Sequence, residues 1–422
     1  MKVGNPTRVS CWSIVTATVI LLMVLDIRAF GLVAITGSLN RVWGAYEKTL
    51  LAAIAIILFL FMDAAAKREI TGSRFLDKYV LCAVLSTVSL YIFTYFKYPQ
   101  QNLTQTVLAG THFLIVPLAL PLYGLLRKQG GSERIFVWMN KVTFVWYCIL
   151  IFQSIIYLKS GRLFLHIDEN IRNDSIRISL NSIGNLMIVY NFNALYSGRA
   201  KKKGWYVIQL ALGAYCLIMV QQTRAYNVII GICIAVIIML HTNTPLKTLR
   251  SLILIAACFV VLDQMNIIDT MQQSFSVDNE VYGNGTKARM LATTYYWEAF
   301  LKSPLFGQGF INSKVYLTIL RGNQGIFNYS DVGFLGLLAN TGLLCIAFYI
   351  WPLLRWGKQV IGYLADRSKR IDNSFLIAFF IYIAGTSTTL IMTDSQRILL
   401  LPFSLAVFEY ARNKPALRKE VA

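Results

Sequence analysis

Four arginines, Arg172, Arg177, Arg224 and Arg289, are the residues of this chain best suited by type to do chemistry. Arg172 and Arg177 stand in ENIRNDSIRISLNSIG, Arg224 in QQTRAYNVIIG, and Arg289 in TKARMLATTYYW. A guanidinium stays charged at any working pH and offers a planar fork that grips phosphate oxygens by two parallel hydrogen bonds. The plainer reading pairs some of them with Asp168, Glu169, Asp174 or lipid headgroups. The second candidate is Asp331, in the run Asn328-Tyr329-Ser330-Asp331 directly before the apolar stretch VGFLGLL. Its carboxylate could take a proton from a hydroxyl or orient a sugar. Equally, Ser330 or Asp331 could cap the helix that follows. Tyr329 beside it is a further candidate substrate contact. Gly307 and Gly309 should turn the chain tightly after Pro304, and Tyr295, Tyr296 and Trp297 suit either an interfacial helix or stacking on sugar rings.

The elements that must position these residues are apolar helices. The chain has 422 residues, 56% hydrophobic and 14% charged, with a mean hydropathy of +0.56. Soluble domains carry roughly a quarter charged residues. Repeated apolar runs of about 20 residues place the chain in a bilayer as an all-α, polytopic protein with about twelve transmembrane helices. They are expected near 10–27, 48–63, 79–96, 103–126, 134–158, 179–196, 205–221, 225–241, 250–267, 331–351, 375–392 and 398–411. Pro117 and Pro121 should kink the fourth. The basic start followed by the apolar run from Cys11 to Leu25 lacks a small-x-small cleavage signal, so it is expected to remain as the first helix. The whole, 1–422, reads as one membrane domain with an external loop at 159–178 and a large one at 268–330, before the tenth helix.

The net charge of +20 is an orientation signal rather than a nucleic-acid footprint, because Lys and Arg concentrate in alternate short connections, Arg-Ala-Lys-Lys-Lys at 199–203 above all. That distribution puts both termini in the cytoplasm and the two long loops outside. Basic residues on the outer side oppose this rule and so call for another explanation. The seven cysteines all fall in apolar segments, with no C-x-x-C pair, which implies neither a disulfide framework nor a metal site. No phosphate-binding G-x-x-x-x-G-K-[ST] or strand-borne G-x-G-x-x-G is present, so no nucleotide cofactor is expected. The first outer loop, Arg28–Lys48, has only Glu47 as an acid, which leaves no acidic pair for a metal there. Lys141 lies inside the fifth helix and needs a polar partner.

Three passages resemble one family in order and on one side of the membrane. TKARMLATTYYWEAFLKSPLFGQGF followed by YSDVGFLGLLANTGLLCIAFYIW is similar to the large outer loop of bacterial lipid-linked polysaccharide polymerases and O-antigen ligases. QQTRAYNVIIGICIAVIIML resembles their outward Ser/Thr-Arg turn, and NIRNDSIRISLNSIG the preceding Arg-containing loop. The resemblance covers about 170–351. Where the ligase branch has His-Asn or His-Ser, this chain has Tyr329-Ser330-Asp331, closer to the Wzy-type repeat-unit polymerases. The resemblance therefore implies a glycosyltransferase of the bacterial inner membrane, joining undecaprenyl-pyrophosphate-linked oligosaccharides into O-antigen or exopolysaccharide on the outer face. Asp331 and Arg289 are the expected catalytic residues; Arg172, Arg177, Arg224 and Tyr329 are the expected substrate contacts. No metal or cofactor is implied, and membrane lipid, a chain-length regulator and a flippase are the candidate partners. The alternatives are an O-antigen ligase, or a flippase or transporter of lipid-linked oligosaccharide. Repeated halves, usual in transporters, are not evident.

Overall fold

The computed structural model describes residues 11–26, 32, 53–57, 60, 73–128, 130–166, 171–172, 175–200, 202–242, 283–322, 327–389, 391–394 and 397–421. Its helices are α1 Cys11–Asp26, α2 Arg74–Lys97, α3 Leu103–Arg127, α4 Gly131–Ser160, α5 Asn181–Tyr196, α6 Lys203–Gln221, α7 Arg224–His241, α8 Gly283–Lys302, α9 Leu317–Arg321, α10 Phe334–Thr341, α11 Ile346–Ala365, α12 Arg367–Asp372, α13 Ser374–Thr386 and α14 Leu400–Val421. A single antiparallel ribbon, β1 Ile171–Arg172 with β2 Ser175–Ile176, sets Ile171 opposite Ile176. The protein is all-α and multi-pass in character. Among the described residues five helices are long and apolar enough to cross a membrane, or six if the bent pair α10–α11 is one span. The expected helix at 250–267 lies outside the described residues, and 48–63 is described only at 53–57 and 60.

Local chemistry sets the helix ends. Ser73 Oγ accepts from the Leu76 N–H at 3.3 Å to cap α2, with Asp77 in the first turn and Lys97 in the last, matching the helix dipole. Asn102 and Gln105 close a reciprocal capping box at the start of α3. Within α3 the stretch Thr111–Leu118, which contains Pro117, tightens to a 3-10 helix because proline supplies no N–H. Lys141 of α4 finds its partner in the Trp138 ring, 4.5 Å from the ammonium.

The tenth expected helix, 331–351, is not one rod. The chain bends by 114° between Phe334–Leu344 and Ile346–Ala365. The cause is the Pro304–Gly309 turn. The Gln308 and Gly309 N–H groups donate to the Ala339 and Asn340 carbonyls at 2.7 and 2.8 Å, and the Leu343 N–H donates to the Pro304 carbonyl at 2.8 Å. Those bonds replace the next helical turn, so α10 stops. Gly342 there has φ +58°, and an added Cβ would lie 2.5 Å from the Leu305 backbone. Gly307 is likewise left-handed, at φ +62°, and a Cβ on it would collide with the Ala339 carbonyl. The turn is therefore a packing device. Two further boundaries differ from expectation. Helix continues past the expected end at 351 to Ala365, and α13 stops at Thr386 instead of running to 392.

At one end of the bundle, Glu409 of α14 ties several helices together. It pairs with Arg355 of α11 at 2.9 Å and accepts from Ser73 Oγ at 2.9 Å and from Asn413 Nδ2 at 3.2 Å; Asn413 also reaches Tyr123 of α3 at 3.0 Å. This network satisfies a buried carboxylate that would otherwise be costly. The opposite end, where α2 finishes and α7 and α14 begin, is where a cavity opens.

Candidate active-site cavity

A cavity of about 690 Å³ lies at that end, walled by the first turns of α3, the loop 309–314, Tyr329, α10 and the turn 391–394. The loop is held from beneath by a buried glutamine. Gln101 Nε2 donates to the Phe310 carbonyl at 2.8 Å, while its oxygen accepts from the Asn312 N–H at 2.8 Å. Thr94 Oγ1 of α2 accepts from the Phe310 N–H at 2.9 Å. These contacts fix which faces of 309–314 look into the cavity.

Its polar lining includes His112, Asn312, Lys314, Tyr329, Asn340, Thr393 and Asp394. Asp394 is 5% exposed, and its carboxylate meets Arg397 Nη1 at 2.5 Å. Arg397 also donates through Nε to the Tyr226 hydroxyl at 3.1 Å, which anchors the turn to the first turn of α7. The ion pair offsets the desolvation of both partners. Thr393 Oγ1 and Asn340 Oδ1 are buried with no hydrogen-bond partner among the described residues. Two unsatisfied oxygens in the wall of a mostly apolar cavity are suited to a ligand that brings hydroxyl groups to those points.

Tyr329 lines the cavity. Asp331 follows in the 3-10 turn Tyr329–Val332, exposed and outside the cavity lining, its carboxylate making no hydrogen bond among the described residues. The cap of that turn is Asn328, whose side chain accepts from the Ser330 N–H, and α10 itself starts after Gly333 without a side-chain cap. Neither Ser330 nor Asp331 caps α10, and Asn328 caps only the short turn before it. Asp331 sits close enough to α8 that its charge, behind burial and the neighbouring Tyr295 and Tyr329, raises the Tyr296 hydroxyl above its ordinary value.

Arg177 donates to the Gln221 carbonyl at 3.0 Å and to Thr223 Oγ1 at 2.9 Å, pinning the strand before α5 to the α6–α7 turn. Arg224 is the next residue, half-buried at the head of α7. These two arginines are therefore neighbours, and α7 links them to Tyr226 and so to Asp394. Arg289 is exposed on α8, apart from the cavity lining. Arg172 lies in β1; its side chain lies outside the described residues. Of the three consecutive aromatics on α8, Tyr295 and Tyr296 donate to the Ile319 and Leu320 carbonyls at 2.8 Å each, clamping α9, while Trp297 is 48% exposed.

Asp394, Arg397, Thr393, Asn340 and His112 were not among the residues expected from sequence. One signal was available. Asp394 and Arg397 are opposite charges three apart inside an otherwise apolar stretch, where an ionisable residue is costly and usually functional.

These features define a multi-pass, all-helical membrane-type protein with a cavity at one end of its bundle that carries a few placed polar groups. Residues 204–350 match the family model described as Wzy_C, O-antigen ligase, so the chain carries a domain of the Wzy-type superfamily. That domain runs from α6 to the start of α11 and includes the cavity wall from Gly309 to Asn340. It supports an enzymatic role in handling O-antigen or exopolysaccharide repeat units. No curated protein and no solved structure matches the chain.

Proposed function

We propose that the protein polymerises undecaprenyl-pyrophosphate-linked repeat units on the outer face of the cytoplasmic membrane. The observation that carries this reading is the cavity, in which unsatisfied Thr393 and Asn340 oxygens stand beside the Arg397-bound Asp394 inside a bundle of apolar helices. Sugar hydroxyls satisfy those oxygens. Asp394, committed to Arg397, orients a hydroxyl. Asp331, whose carboxylate makes no hydrogen bond among the described residues, takes the proton as that hydroxyl oxygen attacks the anomeric carbon of the growing chain. The bond from that carbon to the pyrophosphate oxygen breaks, and the electron pair leaves with undecaprenyl pyrophosphate. Arg224 and Arg289, with Arg172 and Arg177, are assigned to that departing charge, which preorganised guanidinium groups stabilise without reorganisation. Arg177 does so while bridging Thr223.

A ligase reading, in which glycan passes from the carrier to a different acceptor, is favoured by one observation: His112 lines the cavity. That imidazole comes from α3 and not from the loop before α10. Purified protein in nanodiscs, supplied only with lipid-linked repeat units, decides between the two. Polymerase activity gives a ladder of lipid-linked lengths; no ladder without an added second acceptor supports the ligase.

A further inference from the structure

A second recess, of about 610 Å³, lies on the outside of α2 against the Pro304–Gly309 turn. Its walls are Ile92, Phe93 and Phe96 of α2 and Phe306 of the turn, and Lys97 closes one end. Phe93 and Phe306 stack at 4.7 Å, which makes the floor continuous. Phe96 is 78% and Ile92 54% exposed, on the face of α2 that also presents Leu81, Leu85 and Val88 outward. That face suits hydrocarbon rather than water. The Lys97 ammonium rests 3.3 Å from the Gly307 carbonyl and 4.8 Å from the Phe93 ring centre, and no carboxylate pairs with it among the described residues. The turn borders both recesses: Lys97 holds Gly307 on one side, and Gly309 lines the first cavity on the other.

We infer that this groove seats the polyprenyl chain of the lipid-linked substrate, with Lys97 holding its phosphate end beside the cavity. The inference rests on the polymerase reading and adds to it the route by which the carrier reaches the site. Charge complementarity selects the occupant. An apolar furrow that ends in a cation at the C-terminal end of a membrane-length helix matches an apolar chain that ends in an anion. Its position, one turn of chain from the sugar cavity, matches a lipid whose sugar is attached at that anion. The ammonium acts as a point charge here, so arginine should replace it and a neutral side chain should not.

The test uses full-length protein in nanodiscs and a polyprenyl pyrophosphate carrying a photoreactive group in its chain. Crosslinks should map to Ile92–Lys97 or Phe306, and unlabelled polyprenyl pyrophosphate should compete while phosphatidylglycerol does not. Lys97→Gln should weaken probe binding about tenfold, the loss of one charge-assisted contact, and Lys97→Arg should restore it. Phe96→Ser, at an exposed site, should lower crosslinking without lowering protein abundance. Crosslinks elsewhere, equal competition by phosphatidylglycerol, or unchanged binding by Lys97→Gln overturns the groove. The two readings fail separately. A wild-type protein that makes polymer yet crosslinks elsewhere loses the groove alone, and one that crosslinks in the groove yet makes no polymer loses the polymerase reading alone.

Discussion

Arg397 and Tyr226, 171 residues apart in sequence, meet at 3.1 Å, and through that bond the turn bearing Asp394 is fastened to the head of α7. Arg397 therefore has two tasks, neutralising Asp394 and setting the distance between the 391–397 turn and the helix that begins with Arg224. Phenylalanine at 226 keeps the packing on Tyr382, whose ring is 6.1 Å away, and removes only the hydroxyl. Tyr226→Phe should cost about 1.5 to 3 kcal/mol, as expected for a hydrogen bond to a charged group. It should also cut chain growth several-fold at unchanged membrane abundance. Thermal unfolding in detergent beside a glycan ladder measures both, and an unchanged ladder would detach this contact from the reaction.

Asp394→Asn tests the cavity itself. The amide keeps the shape but leaves Arg397 buried without its counter-charge, a loss of roughly 3 kcal/mol or more. Polymer should disappear. The double variant Asp394→Asn with Arg397→Gln removes the stranded charge, so it should recover stability without recovering polymer. Recovered polymer in the double variant would reduce the pair to a structural role.

Asp331 and Asn328 separate catalysis from capping. Asn328→Ala removes the side-chain acceptor of the Ser330 N–H and should lower stability by about 1 kcal/mol. Asp331→Asn should leave stability near wild type and stop chain growth, because an amide takes up no proton at neutral pH. Glycan length and protein level for both variants decide it; a normal ladder from Asp331→Asn ends the proposed role as base.

Arginine geometry gives the fourth test. Arg224→Lys and Arg289→Lys keep the charge but lose the two-point fork, so both should insert normally and yield mostly single-repeat product. Arg177→Lys should in addition loosen the α6–α7 turn, since it loses the bridge to Gln221 and Thr223, and a lower melting temperature would register that. Full-length polymer from the Arg224 and Arg289 variants would assign them to lipid or structure.

Topology is checked by reporter fusions. The orientation expected from the loop charges predicts a cytoplasmic signal from fusions at Gly204 and Lys369 and an external one at Lys314, in the cavity wall. An external signal at Gly204 would invert every outer-face assignment.

Much of the helical framework was legible from residues alone. Long apolar runs at 79–96, 103–126, 134–158, 205–221 and 225–241 became α2, α3, α4, α6 and α7 with small shifts of boundary, because burial in lipid leaves the backbone no partner but itself. The basic residues before Gly204 and the Thr-Arg turn at 223–224 were visible for the same local reason. Tyr329 was found because its passage stands between a loop and an apolar helix, and it lines the cavity.

What only the tertiary structure decided depends on partners far away in sequence. Gly342 in FLGLLANTGLL is a local stop signal after Thr341, but nothing local calls for the 114° bend; the Ala339 and Asn340 carbonyls are taken by N–H groups of a turn some thirty residues earlier. Asp331 reads as a helix cap by position, yet a separate 3-10 turn capped by Asn328 comes between it and α10. Asp394 and Arg397 are an ordinary pair of charges on paper. Asp394 lines a cavity, and its partner Arg397 is tied to Tyr226 of another helix, a fact of packing that spacing along one strand of chain does not contain.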